Sequence, residues 1–441
     1  MGVLNDFDTF CSNIKLDNLA DMKKTTGEIT KKLNKSYYDL DNETKLHMYI
    51  VGSVGRNTAI SGSSDLDILF DLPASIYSQY NAYSDNGQSA LIQDVKKVLK
   101  EKYPNTDIRG DGQVVVIAFN KYTIELVPGF KQSDNRFKYP DTHDGGSWKY
   151  TDPLSEQSAC ADCETESEGK YYDFCHIVRS WKNNIGFKMG GLLIDTLVYD
   201  FFNENECFVG ESEKNYLEIL QALFEYLKNQ DKDRSYWYAM GSNQCVYNSE
   251  KGKFIGKAKK AYNKIKDLKI ESDNVNIILR QVLGNSFPKA QGKTERSAQY
   301  AFIKKYYDRG STSEEFIEEK FSVDIRYDVD IDCNVTQAGW RPFLLRKFLG
   351  DGSTHLRKNK KLDFFIEDTD CPKPYDVYWK VRNVGAEAIR RDMVRGNIVK
   401  ESGAHHIENT EFEGEHYVEC FLVKNNVCVA RDRIEVPIGT L

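Results

Sequence analysis

Apolar positions divide the chain into a mixed first part, a helical middle and a strand-rich end. In the first fifty residues apolar side chains such as Leu19, Met22 and Ile29 recur every three or four positions, which predicts helices. The apolar residues 66–70 predict a strand, and residues 89–102 predict a long helix.

A β-hairpin is predicted in the middle of the first part. Residues 113–119 and 122–127 are both rich in Val and Ile, and the Asn-Lys pair between them suits a tight turn. Further on, residues 172–182 and 216–228 have helical spacing, and residues 300–307 are compatible with a helix in a polar stretch. From residue 375 onwards apolar and polar residues alternate, as in an antiparallel β-sandwich.

These patterns predict an α+β protein of several compact units, since 441 residues exceed one ordinary domain. We expect a core at residues 1–165, a helical lobe at 166–290, a linker at 291–315 and a β-rich domain at 316–441. The net charge of -7 argues against permanent binding to long nucleic acid. Neither an apolar run of about 18 residues nor a signal-peptide pattern is present, so we expect a cytoplasmic protein without a membrane partner.

Ten scattered cysteines suit reduced thiols better than a disulfide framework. Cys160 and Cys163, followed by Cys175 and His176, also have a spacing that could serve zinc. However, adjacent residues on a helix point about 100° apart, and Cys175-His176 lies in a helical pattern. Zinc is therefore the less favoured interpretation.

The most informative residues are three acids. Asp65 and Asp67 are two positions apart on a predicted strand, so both carboxylates leave the same face. Glu125 lies in the second arm of the hairpin, between Ile124 and Leu126. If that arm pairs beside the aspartate strand, three carboxylates converge on one face.

Converging carboxylates repel one another by several kcal/mol, about 4 kcal/mol per close pair at an effective dielectric constant of about 20. A divalent cation relieves that repulsion, and Mg²⁺ prefers oxygen ligands and keeps sites for substrate phosphate. Two such ions can activate a hydroxyl and stabilise a leaving pyrophosphate. Gly52 and Ser53 could approach the phosphates closely, and Arg56 could add positive charge there. Each feature alone is usually a solvated strand or a turn, and it is their combination that is specific.

In this order and spacing the residues resemble the cGAS/DncV-like nucleotidyltransferases (CD-NTases), the bacterial antiphage cyclic-oligonucleotide synthases of CBASS defence. Gly52-Ser53 is similar to the family's glycine-serine loop, Asp65 and Asp67 to its paired metal ligands, and Glu125 to its third acid, which is often Asp. The resemblance implies a polymerase-β-like core and two Mg²⁺ ions, for which Mn²⁺ could substitute. It also implies that Lys182 holds the γ-phosphate and that Asp152 lies in a segment beside the nucleotides.

The last third of the chain resembles the family's C-terminal adenylyl/guanylyl and SMODS sensor domain (AGS-C). Its marks include the run from Pro374 to Asn383. The resemblance implies a nucleotide-like ligand, for which polar and aromatic residues are available: Trp379, Asn383, Arg395, His416 and Arg431. Trp379 could equally be a core residue, and Arg431 could form a structural ion pair with Asp432.

The implied activity joins NTPs, with ATP expected among them, into a cyclic or short linear oligonucleotide that a separate effector protein reads. One alternative is a catalytically retired nucleotide-binding sensor, although the intact acids argue against it. Another is transfer of a single nucleotide to protein or tRNA. Base preference is not determined by the sequence, and only weak contact candidates can be named: Tyr236, Trp237, Ser242 and Asn243.

Overall fold

The computed structural model describes residues 3–63, 65–119, 122–205, 216–289, 314–339 and 341–439. The chain divides into an amino-terminal unit, Leu4–Ser180 with Gly190–Tyr262, and a carboxyl-terminal unit, Met1–Val3 with Trp181–Met189 and Asn263–Leu441. The predicted domain boundaries follow a different division and stay predictions. The predicted helix at 300–307 lies outside the described residues.

The elements that belong wholly or mostly to the amino-terminal unit follow the predicted order. Its helices are α1 (Val3–Ile14), α2 (Leu19–Tyr38), α3 (Gly52–Gly55), α4 (Ala74–Asn81), α5 (Gly87–Lys102), α6 (Pro153–Glu166), α7 (Lys170–Ile185), α8 (Gly191–Glu204), α9 (Tyr216–Lys228) and α10 (Lys253–Ile265). Its strands are β1 (Met48–Ile50), β2 (Asp65–Asp71), β3 (Asp107–Asp111), β4 (Val114–Ala118), β5 (Thr123–Lys131), β6 (Phe137–Asp141), β7 (Ser147–Thr151), β8 (Tyr236–Tyr238) and β9 (Cys245–Tyr247).

A seven-stranded sheet forms the framework of this unit. Five strands run in the order β1-β2-β5-β4-β3, and β6 pairs with both β5 and β7. The antiparallel pairing of β4 with β5 confirms the predicted hairpin, whose two turn residues lie outside the described part of the chain. The pairing of β2 with β5 is parallel. This pairing places the strand of the two aspartates directly beside the strand of the glutamate.

One face of this sheet packs on the helices. Leu66 and Ile68 of β2 and Leu126 of β5 are fully buried in a core that also contains Met22 of α2 and Leu91 of α5. Because strand side chains alternate between faces, the polar residues between these apolar ones face away from the core. The helices therefore fix which face of the sheet is available for chemistry.

The carboxyl-terminal unit is built mainly from strands. They are β10 (Ser322–Val323), β11 (Val329–Thr336), β12 (Phe343–Leu344), β13 (Lys361–Thr369), β14 (Asp376–Arg382), β15 (Ile398–Glu401), β16 (His405–Asn409), β17 (Gly414–Lys424) and β18 (Val427–Ile438). Its remaining helices are α11 (Val275–Leu283), α12 (Ile317–Lys320), α13 (Leu345–Gly350) and α14 (Ala386–Arg390).

Two sheets share one core in this unit, which confirms the predicted sandwich-like domain. One has the strand order β10-β18-β17-β14-β15 and the other β12-β11-β13-β16. Ile331 and Phe364 of the smaller sheet lie in the same buried cluster as Trp379 and Cys420 of the larger one. Strand β10, which precedes the residues of the predicted antiparallel pattern, pairs in parallel with β18.

Among the described residues, no helix is long and apolar enough to cross a bilayer.

Candidate active site

The three predicted acids lie on adjacent strands of the amino-terminal sheet. In the parallel register of β2 and β5, Asp67 is opposite Glu125, and Asp65 is opposite Thr123. All three acidic residues are partly exposed, whereas Leu66 and Ile124 beside them are fully buried. The predicted placement on one face is therefore confirmed, and the catalytic roles of the acids stay predictions.

Gly52 lies directly against this acidic face. Its φ is +62°, and a Cβ added to it would lie 1.8 Å from Oδ2 of Asp67. The backbone N–H of Val51 donates to the carbonyl oxygen of Asp67 at 2.9 Å. The carbonyl of Ser53 accepts from the amides of Thr58 at 2.9 Å and Ala59 at 3.1 Å, which closes the turn after α3. The glycine-serine pair thus begins a turn whose backbone lies so close to Asp67 that only glycine fits at position 52.

The donor chemistry of this face suits Mg²⁺, which takes carboxylate oxygens and leaves positions for phosphate. A side chain at residue 52 would collide with the Asp67 carboxylate, so glycine leaves that carboxylate in place. In the part of the chain that the structure describes, no group of three or more His, Cys, Asp or Glu side chains is arranged to hold a metal ion. The acids therefore supply suitable donors on one face, and they do not form a completed ligand set.

Arg56, predicted to add charge for a phosphate, has other partners. Its guanidinium is 7% exposed and donates to Asp195 at 2.9 Å and to Glu156 at 3.0 Å. Burial alone would lower the pKa of Arg56, but the two carboxylates outweigh that effect and raise the pKa above its ordinary value. Arg56 therefore anchors the turn after Gly52 and Ser53 to α6 and α8, and we correct its predicted phosphate contact to this role.

Asp195 of α8, at the centre of this network, was missed by the sequence interpretation. It is fully buried and accepts from Arg56, from Thr58 Oγ1 at 2.9 Å and from Arg179, whose NH2 lies 3.0 Å from Oδ2. Burial raises the pKa of Asp195, but the two arginines outweigh burial and hold it below the usual value, so the carboxyl stays ionised. The signal was available, because Asp195 is an acid within the mostly apolar segment 192–198, and a buried charge requires partners.

Two other predicted nucleotide contacts also have structural partners. The Asp152 carboxylate caps α6, where Oδ1 accepts from the backbone N–H of Ser155 at 3.2 Å. Lys182, at the end of α7, is 8% exposed, and its Nζ donates to the carbonyl oxygen of Ile325 at 2.7 Å. In this structure Asp152 stabilises a helix start, and Lys182 binds the backbone of the C-terminal β-rich domain.

The weak candidates for base recognition lie in and around the β8–β9 pair. Trp237 is fully buried, and its Nε1 donates to Gln230 at 3.1 Å. The Ser242 hydroxyl donates to Glu156 at 3.1 Å, which links this turn to the Arg56 network. Tyr236 contacts Tyr238 through their hydroxyls at 3.2 Å. None of these contacts identifies a base.

The two cysteines that raised the zinc interpretation are buried in helix α6. Burial raises the pKa of Cys160 and of Cys163 to about 12. The Cys160 sulfur lies 3.2 Å from the Tyr171 hydroxyl. Both sulfurs are therefore neutral thiols near pH 7 in the metal-free protein.

The five side chains proposed for a C-terminal ligand do not gather at one site. Trp379 is 1% exposed and packs in the sandwich core, with its ring 6.0 Å from that of His406. Arg431 is opposite Phe421 on the other face of the same sheet. Trp379 and Arg431 therefore do not meet at one site, because they lie on opposite faces of the sheet.

The other three of these side chains have local structural partners. Nδ1 of His416 accepts from the Val384 amide at 3.1 Å, so its Nε2 carries the proton and donates to the Phe412 carbonyl at 3.2 Å. Asn383 donates to the Met393 carbonyl at 2.8 Å. Arg395 binds both oxygens of Glu408, at 2.8 and 2.7 Å. These contacts stabilise loops and the sheet edge.

Two aspartates on one strand, a glutamate opposite one of them on the next strand and a glycine-serine turn against that face are the features expected of a nucleotidyltransferase. Residues 1–163 match the family model of the Second Messenger Oligonucleotide or Dinucleotide Synthetase domain (SMODS). Residues 311–439 match the Adenylyl/Guanylyl and SMODS C-terminal sensor domain. The chain thus belongs to the CD-NTases, as an enzyme of the cyclic oligonucleotide synthase type that carries the AGS-C sensor domain, and the predicted family is confirmed.

Solved structures of this family are also similar to the chain. Escherichia coli MS115-1 CdnC in complex with HORMA-deltaN has a TM-score of 0.49 and 16% identity, over 65% of this chain and 98% of that chain. The same CdnC with ATP has a TM-score of 0.48 and 17% identity, over 65% and 98%. The apo form of Vibrio cholerae DncV has a TM-score of 0.43 and 11% identity, over 55% and 69%. A search of curated proteins finds no match.

Proposed function

We propose that this chain joins NTPs into a cyclic or short linear oligonucleotide messenger, with Asp65, Asp67 and Glu125 as the acidic set. The observation that supports this most directly is the parallel register of β2 and β5, with Asp67 opposite Glu125. Gly52 approaches the same carboxylate from the turn after β1. ATP is a proposed substrate, and bacterial antiphage defence is the proposed setting.

In the proposed reaction an acceptor hydroxyl oxygen bonds to the α-phosphorus of an NTP. The bond from that phosphorus to the pyrophosphate oxygen breaks, pyrophosphate leaves, and the hydroxyl proton passes to water. Asp65, Asp67 and Glu125 would hold two Mg²⁺ ions, or Mn²⁺ in their place. When bound, the ions neutralise phosphate charge and increase the acidity of the hydroxyl.

The protein itself contributes positioning and charge in such chemistry. The backbone of Gly52 and Ser53 would lie along the triphosphate, because that turn is held against Asp67. Arg56 acts indirectly, since its bonds to Asp195 and Glu156 fix the end of the turn. A separate effector protein would read the product.

The test uses the purified full chain with each α-labelled NTP and dNTP, with Mg²⁺ or Mn²⁺, followed by phosphatase treatment and mass spectrometry. We expect a labelled product with at least one NTP, its loss in EDTA, and resistance to phosphatase if it is cyclic. Asp65→Asn/Asp67→Asn should lower the rate by at least about a thousandfold, which is about 4 kcal/mol of transition-state stabilisation.

A second aspartate pair offers a matched control. Asp39 and Asp41 have the same spacing, but they are exposed, and both bind Lys35 at the surface. Asp39→Asn/Asp41→Asn should leave the rate within about twofold, since exposed pairs contribute little. Binding of ATP without any product would favour the retired sensor. Label on protein or tRNA would favour single-nucleotide transfer. The absence of both ATP binding and product would contradict the proposal.

A further inference from the structure

A cluster of charged side chains covers the outer face of the larger sheet in the carboxyl-terminal unit. Lys380 and Arg382 project from β14 on the face opposite to Trp379, and they are 3% and 5% exposed. In the antiparallel register, Lys380 is opposite Glu419 and Arg382 is opposite Tyr417 of β17. Two cations and a phenol hydroxyl therefore lie side by side on paired strands. We name these three side chains, Lys380, Arg382 and Tyr417, the cationic cradle.

The carboxylate of Glu314 occupies the cationic cradle. Its Oε1 lies 3.1 Å from Lys380 Nζ and 3.2 Å from the Tyr417 hydroxyl, which donates to it, and its Oε2 lies 3.1 Å from Arg382 NH2. The Glu314 side chain remains 16% exposed. One carboxylate thus receives three donors at a position that retains contact with solvent.

The cradle and its occupant belong to different parts of the fold, and the Glu315 carboxylate next to the occupant accepts from the Ile398 amide of β15 at 2.6 Å. Lys380 and Arg382 are fixed by strand pairing of β14 with β15 on one side and β17 on the other. Glu314 belongs to an irregular segment before α12, which is joined to the sheet where the Glu315 amide donates to the Gly396 carbonyl at 3.0 Å. The cradle is therefore built without Glu314, and the carboxylate enters it from outside the sheet.

Ion pairs connect the cradle to further charged residues. Arg431 binds both Glu318 and Glu419, and Arg433 lies over the Tyr417 ring at 3.5 Å. The paired cations are Lys320, Lys380, Arg382, Arg431 and Arg433, and the paired acids are Glu314, Glu315, Glu318, Glu419 and Glu435. These cations and carboxylates balance only while Glu314 is present, so its departure leaves one uncompensated positive charge in the cradle.

We propose that the cationic cradle is a binding site for the phosphate group of a small molecule, and that Glu314 occupies it until such a ligand displaces the carboxylate. Arg and Lys together suit phosphate, because the guanidinium offers a planar fork and the ammonium a point charge. The near-complete burial of Lys380 and Arg382 favours a small ligand over a nucleic-acid chain. This site is independent of the reaction proposed above, since all its residues lie in the carboxyl-terminal unit.

Calorimetry on the full chain, with EDTA present, tests the proposal with inorganic phosphate and AMP as probes. Glu314→Gln keeps the shape of the side chain and removes its charge, so phosphate affinity should rise at least about tenfold. Adding Arg382→Gln to that variant should abolish the gain. Glu408→Gln is a matched control, because Glu408 also binds an arginine in the same unit, and it should leave affinity unchanged. Tighter binding of AMP than of phosphate would identify a nucleotide ligand, and equal binding would identify free phosphate.

A second measurement uses the native chain and does not depend on the folding of variants. If phosphate displaces Glu314, hydrogen exchange of the Glu315 amide should become faster when phosphate replaces chloride at constant ionic strength, because that amide is held by Gly396. If hydrogen exchange of the Glu315 amide is unchanged, and Glu314→Gln binds phosphate as tightly as the native chain does, the proposal is overturned. Glu314 would then form only a structural ion pair with the cradle.

Discussion

Gly52 illustrates how one residue determines the geometry of the candidate active site. The 1.8 Å distance between an added Cβ and Asp67 Oδ2 requires glycine, and its φ of +62° favours glycine. We predict that Gly52→Ala lowers product formation by at least about a hundredfold, because a displacement of about 1 Å in a catalytic group has effects of that size. The conversion rate of NTP should be measured beside a thermal unfolding curve.

Gly256→Ala is the control for this substitution. Gly256 lies within α10, and an added Cβ would meet nothing within 4 Å. The alanine should leave the rate unchanged and stabilise the helix by about 0.5–1 kcal/mol. Full activity in Gly52→Ala would show that the turn need not approach Asp67 during the reaction.

Residue positions within regular elements were predictable from the sequence, whereas the partners of charged side chains were not. Alternation along a strand determined that Asp65 and Asp67 share a face, and the hairpin placed Glu125 near them. Arg56 shows the opposite case. Its partners Glu156 and Asp195 are 100 and 139 positions away, so local patterns hold no information about them.

At the scale of elements, Asp195 joins α8 to α7 and to the turn after α3. Three side chains donate to its carboxylate, two of them arginines. We predict that Asp195→Asn destabilises the protein by about 3–5 kcal/mol, because it leaves Arg56 and Arg179 buried with too little negative charge. The midpoint of denaturant-induced unfolding should fall, and product formation should fall with it because Arg56 anchors the glycine-serine turn.

Asp376→Asn makes the same chemical change at the surface. Asp376 pairs with Lys400 at 2.8 Å, and the two side chains are 51% and 54% exposed. Its removal should change stability by no more than about 1 kcal/mol. Equal effects of the two substitutions would mean that the Asp195 network does not stabilise the fold as described.

His176 connects α7 to the same turn, and it gives that connection a dependence on pH. Its Nε2 donates to the carbonyl oxygen of Asn57 at 3.1 Å. Burial, reinforced by Arg179, lowers the pKa of His176 to about 4. Between pH 6.5 and 4 the unfolded chain binds the proton and the folded chain does not, so stability falls with falling pH by up to about 3 kcal/mol.

The comparison of the native chain with His176→Gln isolates this effect. Burial raises the pKa of Asp200 to about 6, so protonation of Asp200 stabilises the folded state as the pH falls. This effect opposes the effect of His176. Thermal unfolding of both proteins at several pH values should show a steeper loss in the native chain. Parallel curves would exclude His176 as the cause.

At the scale of the whole molecule, residues 181–189 fall differently in the prediction and in the structure. Helical spacing assigns them to the helical lobe, whereas in the structure they belong to the carboxyl-terminal unit with the β-rich domain. The reason is two hydrogen bonds between residues that are far apart in the sequence. Asn183 donates to the Val323 carbonyl at 3.0 Å and accepts from the Ile325 amide at 3.2 Å. The end of α7 therefore takes part in the fold of the sensor domain that follows it.

Asn183→Ala should weaken that connection by about 2–4 kcal/mol, because a buried carbonyl and a buried amide both lose their partner. We expect a lower midpoint of thermal unfolding and faster hydrogen exchange of the Ile325 amide. Lys188→Ala provides the comparison in the same segment, since Lys188 pairs with Asp370 at 2.8 Å with side chains 26% and 48% exposed. That exposed pair should contribute no more than about 1 kcal/mol. If Asn183→Ala lost no more stability than Lys188→Ala, the end of α7 would not be held to the sensor domain by this buried pairing.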